Sequence, residues 1–383
     1  MQWLNKLGGP FRGLGAVFYK ETLHIRRDAR TVIFALAIPV GQMIFLGYAI
    51  DTNVRQVNTV VYDAANTQAS RELLDRFRNT DTYHIIRYVH SDHELHDFIV
   101  SGRAKVGIKV PVDFSDQLQD RGTAQVLVLI DGSDSSVAGT ALNVSTSLGL
   151  DESLRRVLER FNLRRNIFPV EVRPQLLFNP DSRSPNFFLP GLVAVLLLTL
   201  TTFLTALGIV KEKEKGTLEQ LFVTPVRPMG LLLGKLLPYL GIGFFGLCMM
   251  LTLIRFVFQV PIHGNVLLLL LLALPYIFVN LSIGLIISGK ANSQAEAMQL
   301  SILLFLPTIF FSGYIFPRET MPLPFYLMSF LVPGTYFVNI SRGIILRGAA
   351  LQHLWIDGLV LVVMGVALLS IAARRFNSKV IAT

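Results

Sequence analysis

The residues whose types and spacing most suggest metal chemistry are three histidines and three acids within one short stretch: His90, Asp92, His93, Glu94, His96 and Asp97. On a helix, His93 and Asp97 would share one face at i, i+4, a spacing that can hold a zinc ion. Ser91 followed by Glu94 is also a capping box, which accounts for acids in a first helical turn. Because no second pair of ligands is evident elsewhere, we predict a capped, solvated helix and no metal site.

A second stretch is similar to a phosphate-binding loop. Gly230-Leu-Leu-Leu-Gly234-Lys235-Leu236 has one residue too few between its glycines, and a leucine stands where Ser or Thr would bind magnesium. We therefore interpret Lys235 as an anchor that extends its ammonium group into the headgroup layer. The sequence also lacks G-x-S-x-G and H-E-x-x-H motifs. We predict no catalytic residues, no ATP hydrolysis by this chain and no cofactor of its own.

The most informative segment is 211–225, Lys-Glu-Lys-Glu-Lys-Gly-Thr-Leu-Glu-Gln-Leu-Phe-Val-Thr-Pro. Gly216 is predicted to end one helix, and a short helix is predicted to follow and stop before Pro225. One face of this short helix is apolar: Leu218, Leu221 and Phe222. Such a helix could dock into a groove on a cytoplasmic partner or lie in the headgroup layer, and the pattern alone does not choose between them.

The elements around these residues are long and apolar. Of the 383 residues, 52% are hydrophobic and 16% are charged, too few charges for an ordinary soluble surface. A membrane-spanning helix needs about 20 mostly apolar residues. Six stretches qualify: 31–50, 187–210, 231–258, 266–288, 297–316 and 355–373. The sequence therefore predicts an α-helical polytopic membrane protein with six transmembrane helices.

Basic residues in the short connections predict the orientation. The segments expected in the cytoplasm hold 14 Lys and Arg, and the two short segments on the opposite side hold three. The cytoplasmic segments are 1–30, 211–230, 289–296 and 374–383. The opposite segments are 259–264 and 317–354. We expect both termini in the cytoplasm and the chain in a bacterial inner (plasma) membrane.

Residues 51–186 are predicted to form an α/β domain inserted between the first two spans, on the extracytoplasmic side. They hold slightly more acids than bases, so the net charge of +9 comes from the membrane segments and does not indicate nucleic-acid binding. The β-rich runs are Val57–Tyr62, Tyr83–Tyr88, Lys105–Val110, Ala124–Ile130 and Glu171–Phe178. The helical stretches are Ser70–Arg78, Asp92–Ser101, Val112–Asp120 and Ser135 to about Arg165.

Polar residues within the predicted spans are candidates for a translocation pathway: Thr201, Thr205, Asn280, Thr308 and Ser312. The alternative for each is a hydrogen bond between helices or back to its own helix. No acidic residue is predicted deep within a span, which argues against a proton-coupled carrier. The pattern favours export of an apolar or amphipathic compound, with energy supplied from outside the bilayer.

The run from Lys211 to Leu221 resembles the signature of ABC-2 type permeases, the membrane subunits of ATP-binding-cassette exporters. Further stretches resemble the same family in the expected order: Lys20-Glu21 with Arg27-Asp28, Val110–Ser115, and Phe311–Pro322 with Pro333–Gly348. The resemblance covers essentially the whole chain. The large domain between the first two spans is similar to that of the drug-efflux-like branch.

The resemblance implies a half-transporter that pairs with a second permease copy, as a homodimer or heterodimer, and binds a separate ABC ATPase holding ATP and Mg. It implies a coupling helix in the 211–230 loop, with Lys213, Glu214, Gly216, Thr217 and Glu219 contacting the ATPase. Lys20 and Glu21, in an N-terminal amphipathic helix within 1–30, would help to seat that ATPase. It also implies an outer re-entrant segment at 317–354, contact with membrane lipid and, commonly in this branch, a periplasmic adaptor.

We therefore predict the permease subunit of an ABC exporter for a hydrophobic or amphipathic, drug-like compound. Within the family, a permease for a lipid or glycan is an alternative. Outside it, a secondary transporter is disfavoured by the missing carboxylates and the lack of repeated broken helices. A non-transporting membrane scaffold is the remaining alternative.

Overall fold

Residues 12–49, 55–120, 123–160, 177–180, 183–216 and 226–381 are the part of the chain that the computed structural model describes. The chain divides into a helical unit, 1–51 with 176–383, and an α/β unit, 52–175. The strands are β1 (Val57–Asp63), β2 (Tyr83–Tyr88), β3 (Val106–Val110) and β4 (Leu127–Ile130). The helices are α1 (Leu14–Arg27), α2 (Ala29–Ala49), α3 (Gln68–Arg78), α4 (Asp92–Val100), α5 (Phe114–Asp120), α6 (Ser135–Arg160), α7 (Ser184–Glu214), α8 (Pro228–Thr252), α9 (Val266–Lys290), α10 (Gln294–Phe311), α11 (Leu323–Ser329), α12 (Pro333–Ile345) and α13 (Leu351–Ile381).

Six helices in the described part of the chain are long and apolar enough to cross a membrane: α2, α7, α8, α9, α10 and α13. A π-helical turn, Leu253–Val257, continues α8. These helices overlie the six apolar stretches of the sequence, because runs of about 20 apolar residues leave the backbone no alternative to satisfying its own hydrogen bonds. The prediction of six spanning helices agrees with this architecture.

Helix α7 forms the centre of the helical unit. Within its most apolar stretch, 78% of the residues are buried, against 17% in α2 and in α10. It packs on α2, α8, α9, α10 and α12. A helix that is apolar all round is stable only when protein or lipid surrounds it, and α7 is surrounded mainly by protein. Because α7 is central, the charged residues at its C-terminus lie close to other helices.

Helix α10 is shorter than the predicted stretch 297–316, because it ends at Phe311. Gly313 follows with φ +79°, a left-handed conformation that ends helices and suits glycine. Arg342 donates to the carbonyl oxygens of Gly313 and Tyr314, both at 2.8 Å. Helices α11 and α12 then form a pair bent by 78°. The bend lies within the segment 317–354, where a re-entrant segment is expected.

The α/β unit contains a four-stranded sheet in the order β2-β1-β3-β4, within its described residues. β1 pairs in parallel with β2 and β3, whereas β4 pairs antiparallel to β3. Leu73, Leu74 and Phe77 of α3 belong to one buried core with residues of β1, β2 and β3. The β-rich runs of this segment thus form short strands, mostly parallel, that are covered by helices.

The predicted elements of this unit agree with the structure apart from their ends. Helix α5 begins at Phe114 rather than Val112, and β4 begins at Leu127 rather than Ala124. Ser91 accepts from the Glu94 amide as predicted, but the carboxylate of Glu94 accepts from the His90 amide rather than completing the box on Ser91. The predicted strand Glu171–Phe178 lies outside the described residues up to position 176, and Leu177 and Phe178 are not in a strand.

Candidate functional site

Four charged side chains meet at the end of the helical unit where α7 ends and α8 begins. Lys20 and Glu21 come from α1, Glu212 from the last turn of α7, and Lys235 from the start of α8. The Nζ atoms of Lys20 and Lys235 each lie 3.2 Å from Oε1 of Glu21. Both ammonium groups also bond to the carboxylate of Glu212. We call Lys20, Glu21, Glu212 and Lys235 the charged quartet.

Three members of the charged quartet are almost inaccessible, since Glu21, Glu212 and Lys235 are 2%, 4% and 2% exposed. Removing an ion from water costs several kcal/mol, so such groups are buried only when they are paired. Two cations and two anions make the charged quartet neutral. Burial by itself lowers the pKa of Lys20, but the bond to Glu212 and the charges of Glu21 and Glu212 outweigh it and raise that pKa.

The prediction that Lys235 extends into the headgroup layer is wrong, because α1 covers this part of α8. The approach is close because Gly234 has no side chain. A Cβ atom at Gly234 would lie 2.8 Å from Val17 Cβ and 3.0 Å from the carbonyl oxygen of Leu14. Helix α1 therefore packs directly on α8, and the ammonium group of Lys235 is enclosed between Glu21 of α1 and Glu212 of α7.

A second ion pair joins α7 to the junction between α1 and α2. Nζ of Lys211 lies 2.8 Å from Oδ2 of Asp28, and both side chains are about one-third exposed. The hydrogen bond from Lys211 lowers the pKa of Asp28 to about 2, and a bond from Thr31 adds to the effect. Asp28 is therefore ionised at neutral pH, although the exposure of the pair limits its contribution to stability to about 1 kcal/mol or less.

Lys213 and Glu214 contact the connection between α9 and α10. Nζ of Lys213 donates to the Ala291 carbonyl and to Oδ1 of Asn292, both at 2.8 Å. Oε1 of Glu214 accepts from the backbone amide of Gln294 at 2.8 Å. Gln294 is the first residue of α10, and a negative charge at a helix N-terminus is favourable. The last turn of α7 is thus bonded both to α1 and to the start of α10.

Gly216 lies just beyond the end of α7 with φ +68°, which agrees with the predicted helix break. A Cβ atom at this position would have open space around it, so the backbone conformation rather than crowding favours glycine. Thr217 and Glu219 lie outside the described residues. The contacts of Lys213 and Glu214 therefore hold the chain at the point from which the segment 217–225 continues.

Three of the five candidate pathway residues lie together where α7 packs on α9. Thr201, Thr205 and Asn280 are fully buried. Thr201 and Thr205 each donate to the carbonyl four residues back in α7, at 2.6 and 2.9 Å, which is the packing alternative named above. Thr202 donates to the backbone carbonyl of Asn280 at 3.2 Å. The amide group of Asn280 lies beside the Tyr276 phenol, without a hydrogen bond of normal geometry.

The other two, Thr308 and Ser312, lie at the far end of α10. Thr308 donates to the carbonyl four residues back at 3.0 Å, and Oγ of Ser312 accepts from the Tyr314 amide at 3.3 Å. A Cβ atom at Gly334 would lie 2.7 Å from Cγ2 of Thr308, so α12 packs tightly here. The structure therefore places the five residues in two separate contacts, and their part in transport stays a prediction.

Sequence reasoning missed Glu212 as a partner of Lys20 and Lys235. Glu212 stands in an alternating charge run, where it resembles its solvated neighbours. The available signal was Lys235 itself, because a lysine followed by a long apolar run has to be paired with a carboxylate if it is buried. The sequence contains no indication of which of several acids, near or far along the chain, would provide it.

One group of three potential metal ligands occurs among the described residues: Glu21, His24 and Glu212, whose ligand atoms lie within 4.8 Å of one another. Both carboxylates already bond to the ammonium groups of Lys20 and Lys235. A metal cation would have to displace these charges or be repelled by them. The arrangement suits an ion-pair network better than a metal centre.

Comparison with known proteins gives a consistent result. A family model described as "ABC-2 family transporter protein" matches residues 29–374. The "Probable multidrug ABC transporter permease YbhR" of Escherichia coli (strain K12) is 26% identical over 370 residues, 97% of this chain and 100% of that protein. For "Probable multidrug ABC transporter permease YbhS" the values are 26% over 340 residues, 88% and 89%. The "ABC transporter G family member 20" of Dictyostelium discoideum is 27% identical over 385 residues, 94% of this chain and 52% of that protein.

Proposed function

Because the chain belongs to the ABC-2 family of transporter proteins, we propose that it is the permease subunit of an exporter driven by a separate ATPase. The family implies an ATPase partner and a pair of permease subunits. ATP and its magnesium ion would be bound by that partner. The observation that supports this most directly is the charged quartet, together with the contacts of Lys213 and Glu214, at the end of α7 that leads into the segment 217–225.

These contacts suit the transmission of a movement. In a low-dielectric interior, separating the buried carboxylates of Glu21 and Glu212 from Lys235 costs several kcal/mol. Helices α1, α7 and α8 therefore resist separation at this end and move together. A displacement applied by the ATPase to α1 or to the segment 217–225 would reach α7, and α7 packs on most of the other spanning helices.

The proposed cargo is a hydrophobic or amphipathic, drug-like compound taken from the cytoplasm or inner leaflet. YbhR and YbhS are named as multidrug permeases, which supports this class. The buried polar groups midway along α7 and α9 are hydroxyls and one amide, which suit an uncharged or weakly polar compound better than an ion. We further propose that the 51–186 domain is extracytoplasmic, in reach of a periplasmic adaptor and membrane lipid.

The coupling role is tested with Glu214→Ala and Gly216→Pro, in proteoliposomes that contain the chain and its ATPase. Glu214→Ala removes the bond to Gln294, and proline cannot adopt the φ of +68° at position 216. We expect transport of a dye to fall by about tenfold or more while ATP hydrolysis continues, since coupling energies between sites are of that order.

Glu319→Ala is the matched control, because Glu319 is an exposed carboxylate beyond the C-terminal end of α10, whereas Glu214 bonds to the first residue of that helix. It should leave transport and hydrolysis unchanged. Unchanged transport and unchanged co-purification of the ATPase with both test variants would overturn the coupling assignment. Transport by the unmodified protein that survives ATP depletion would instead identify a secondary transporter.

A further inference from the structure

The α/β unit contains a cavity of about 1140 Å³ between α3, α5, α6 and the segment leading into β4. Small-molecule sites in proteins typically measure about 300–1,000 Å³, so the space suits a ligand of drug size. All of its lining residues lie between positions 67 and 157. The cavity therefore lies entirely within this unit, and the helices that the proposed function involves do not line it.

One wall of the cavity is apolar. Leu73 and Phe77 of α3, and Phe114 of α5, line it with side chains that are 4–6% exposed. Val126, just before β4, and Val128, within it, continue the same wall. Apolar and aromatic groups of this kind remove a ligand's hydrocarbon surface from water without requiring a particular orientation.

The opposite wall, on α6, bears a positive charge that is only partly balanced. Nε of Arg156 bonds to Oε1 of Glu152, and Nη2 of Arg156 is buried without a hydrogen-bond partner. The single carboxylate of Glu152 also accepts from Arg76 at 3.0 Å and from Arg155 at 3.3 Å. Arg76 also pairs with Asp151 at 3.5 Å, whereas Arg156 has Glu152 as its carboxylate and shares it with Arg76 and Arg155. The guanidinium group of Arg156 therefore keeps donor capacity at Nη2. Glu72, the other acid of the lining, is solvent-exposed on α3.

We propose that this cavity binds an amphipathic organic anion, with its apolar body against Leu73, Phe77 and Phe114 and its carboxylate, sulfonate or phosphate group at Arg156. A guanidinium group with unused donors forms strong, charge-assisted bonds to such oxyanions. The proposal goes beyond the export function and does not depend on it, because neither the charged quartet nor the spanning helices take part.

The first test measures protection of a thiol on α6 in the full chain, reconstituted in zwitterionic nanodiscs. Ser153→Cys, made in a Cys248→Ser background, places one thiol in the cavity lining. Ser147→Cys is the matched control. Both serines are exposed on α6 and donate to the carbonyl four residues back, at 2.7 and 2.8 Å, but Ser147 lies outside the lining.

With 2-naphthalenesulfonate as the probe, we expect N-ethylmaleimide to react more slowly with the thiol at position 153 and at an unchanged rate with the thiol at 147. Naphthylmethylammonium and naphthalenemethanol have the same ring system without the negative charge. Their protection of the thiol at position 153 should be weaker by about tenfold or more. Equal protection by the cation, or no protection by the sulfonate, would overturn the proposal.

The second test compares two arginines. Arg156→Gln should weaken the protection by 2-naphthalenesulfonate by about tenfold or more, because one charge-assisted bond is lost. Arg155 bonds to the same carboxylate but does not line the cavity, so Arg155→Gln should have little effect on the protection. An equal loss in both variants would show a general effect of charge and would contradict a site at Arg156.

Discussion

A buried ammonium group loses its hydrogen bonds to water and needs other acceptors. Lys235, which is 2% exposed, bonds to two carboxylates instead. The arrangement is favourable only while all its members are present. A buried ammonium group stabilises the fold little more than a well-packed apolar residue would. Removing it is nevertheless costly, because the carboxylates are then buried without their cation. We infer that the ion pairs specify how α1 sits on α7 and α8, since apolar contacts alone tolerate sliding.

Replacing Lys235 by methionine tests this interpretation. The side chain keeps its length, but Glu21 and Glu212 are left to share Lys20, which is 42% exposed. We expect a loss of about 3 kcal/mol of stability, the usual cost of breaking a buried pair, measured as a lower melting temperature in detergent. Lys290→Met, at an exposed position in the last turn of α9, is the control and should change little. Equal melting temperatures would contradict the pairing.

At the scale of elements, α7 and α9 approach each other closely because small residues lie between them. A Cβ atom at Gly284 would lie 2.7 Å from the carbonyl oxygen of Thr202 and 2.9 Å from Cβ of Thr205. Small residues permit such contacts, and the hydroxyl of Thr202 then reaches the carbonyl of Asn280 on the facing helix. The same closeness explains why Thr205 has no accessible surface.

Gly284→Ala is expected to separate these helices. The added methyl group meets backbone rather than a flexible side chain, so the cost should be about 1–3 kcal/mol, seen as a lower melting temperature. Gly241→Ala serves for comparison, because a Cβ atom on this α8 glycine has open space. That change should be neutral or stabilising by up to about 1 kcal/mol through helix propensity. If Gly284→Ala behaved like Gly241→Ala, the close contact would not exist.

At the scale of the whole molecule, the chain combines a helical unit that can span a membrane with an α/β unit inserted after its first span. The excess of Lys and Arg on one side of the spans predicts which side faces the cytoplasm. Under this proposed topology, the charged quartet and the end of α7 would face the cytoplasm, where ATP is available, and the α/β unit with its cavity would face the opposite side.

Labelling from one side tests that topology. In a Cys248→Ser background, Gly132→Cys marks the α/β unit and Gly289→Cys marks the end of α9, and a Cβ atom has open space at both positions. In spheroplasts, a membrane-impermeant maleimide should label position 132 at once and position 289 only after lysis. The reverse pattern would place the α/β unit in the cytoplasm and contradict the proposed direction of export.

Local order was largely predictable from the sequence. The six apolar stretches, four of the strands, the helix end at Gly216 and the cap at Ser91 follow from periodicity, run length and the conformational preferences of single residues. Each of these depends on neighbours within a few positions. The run after Lys211 was also sufficient to suggest the family, because its residues stand together in the chain.

Only the tertiary structure decided what the polar residues of the helical unit do. Lys20 and Glu212 are separated by 192 positions, and no local pattern states that they meet or that Lys235 joins them. The sequence left both a pathway role and a hydrogen bond within the helix open for Thr201 and Thr205, and only the structure shows that their hydroxyls bond to their own helix. Hydropathy indicates that a side chain will be buried. The packing of the helices decides which partner offsets the cost of burying a polar or charged group.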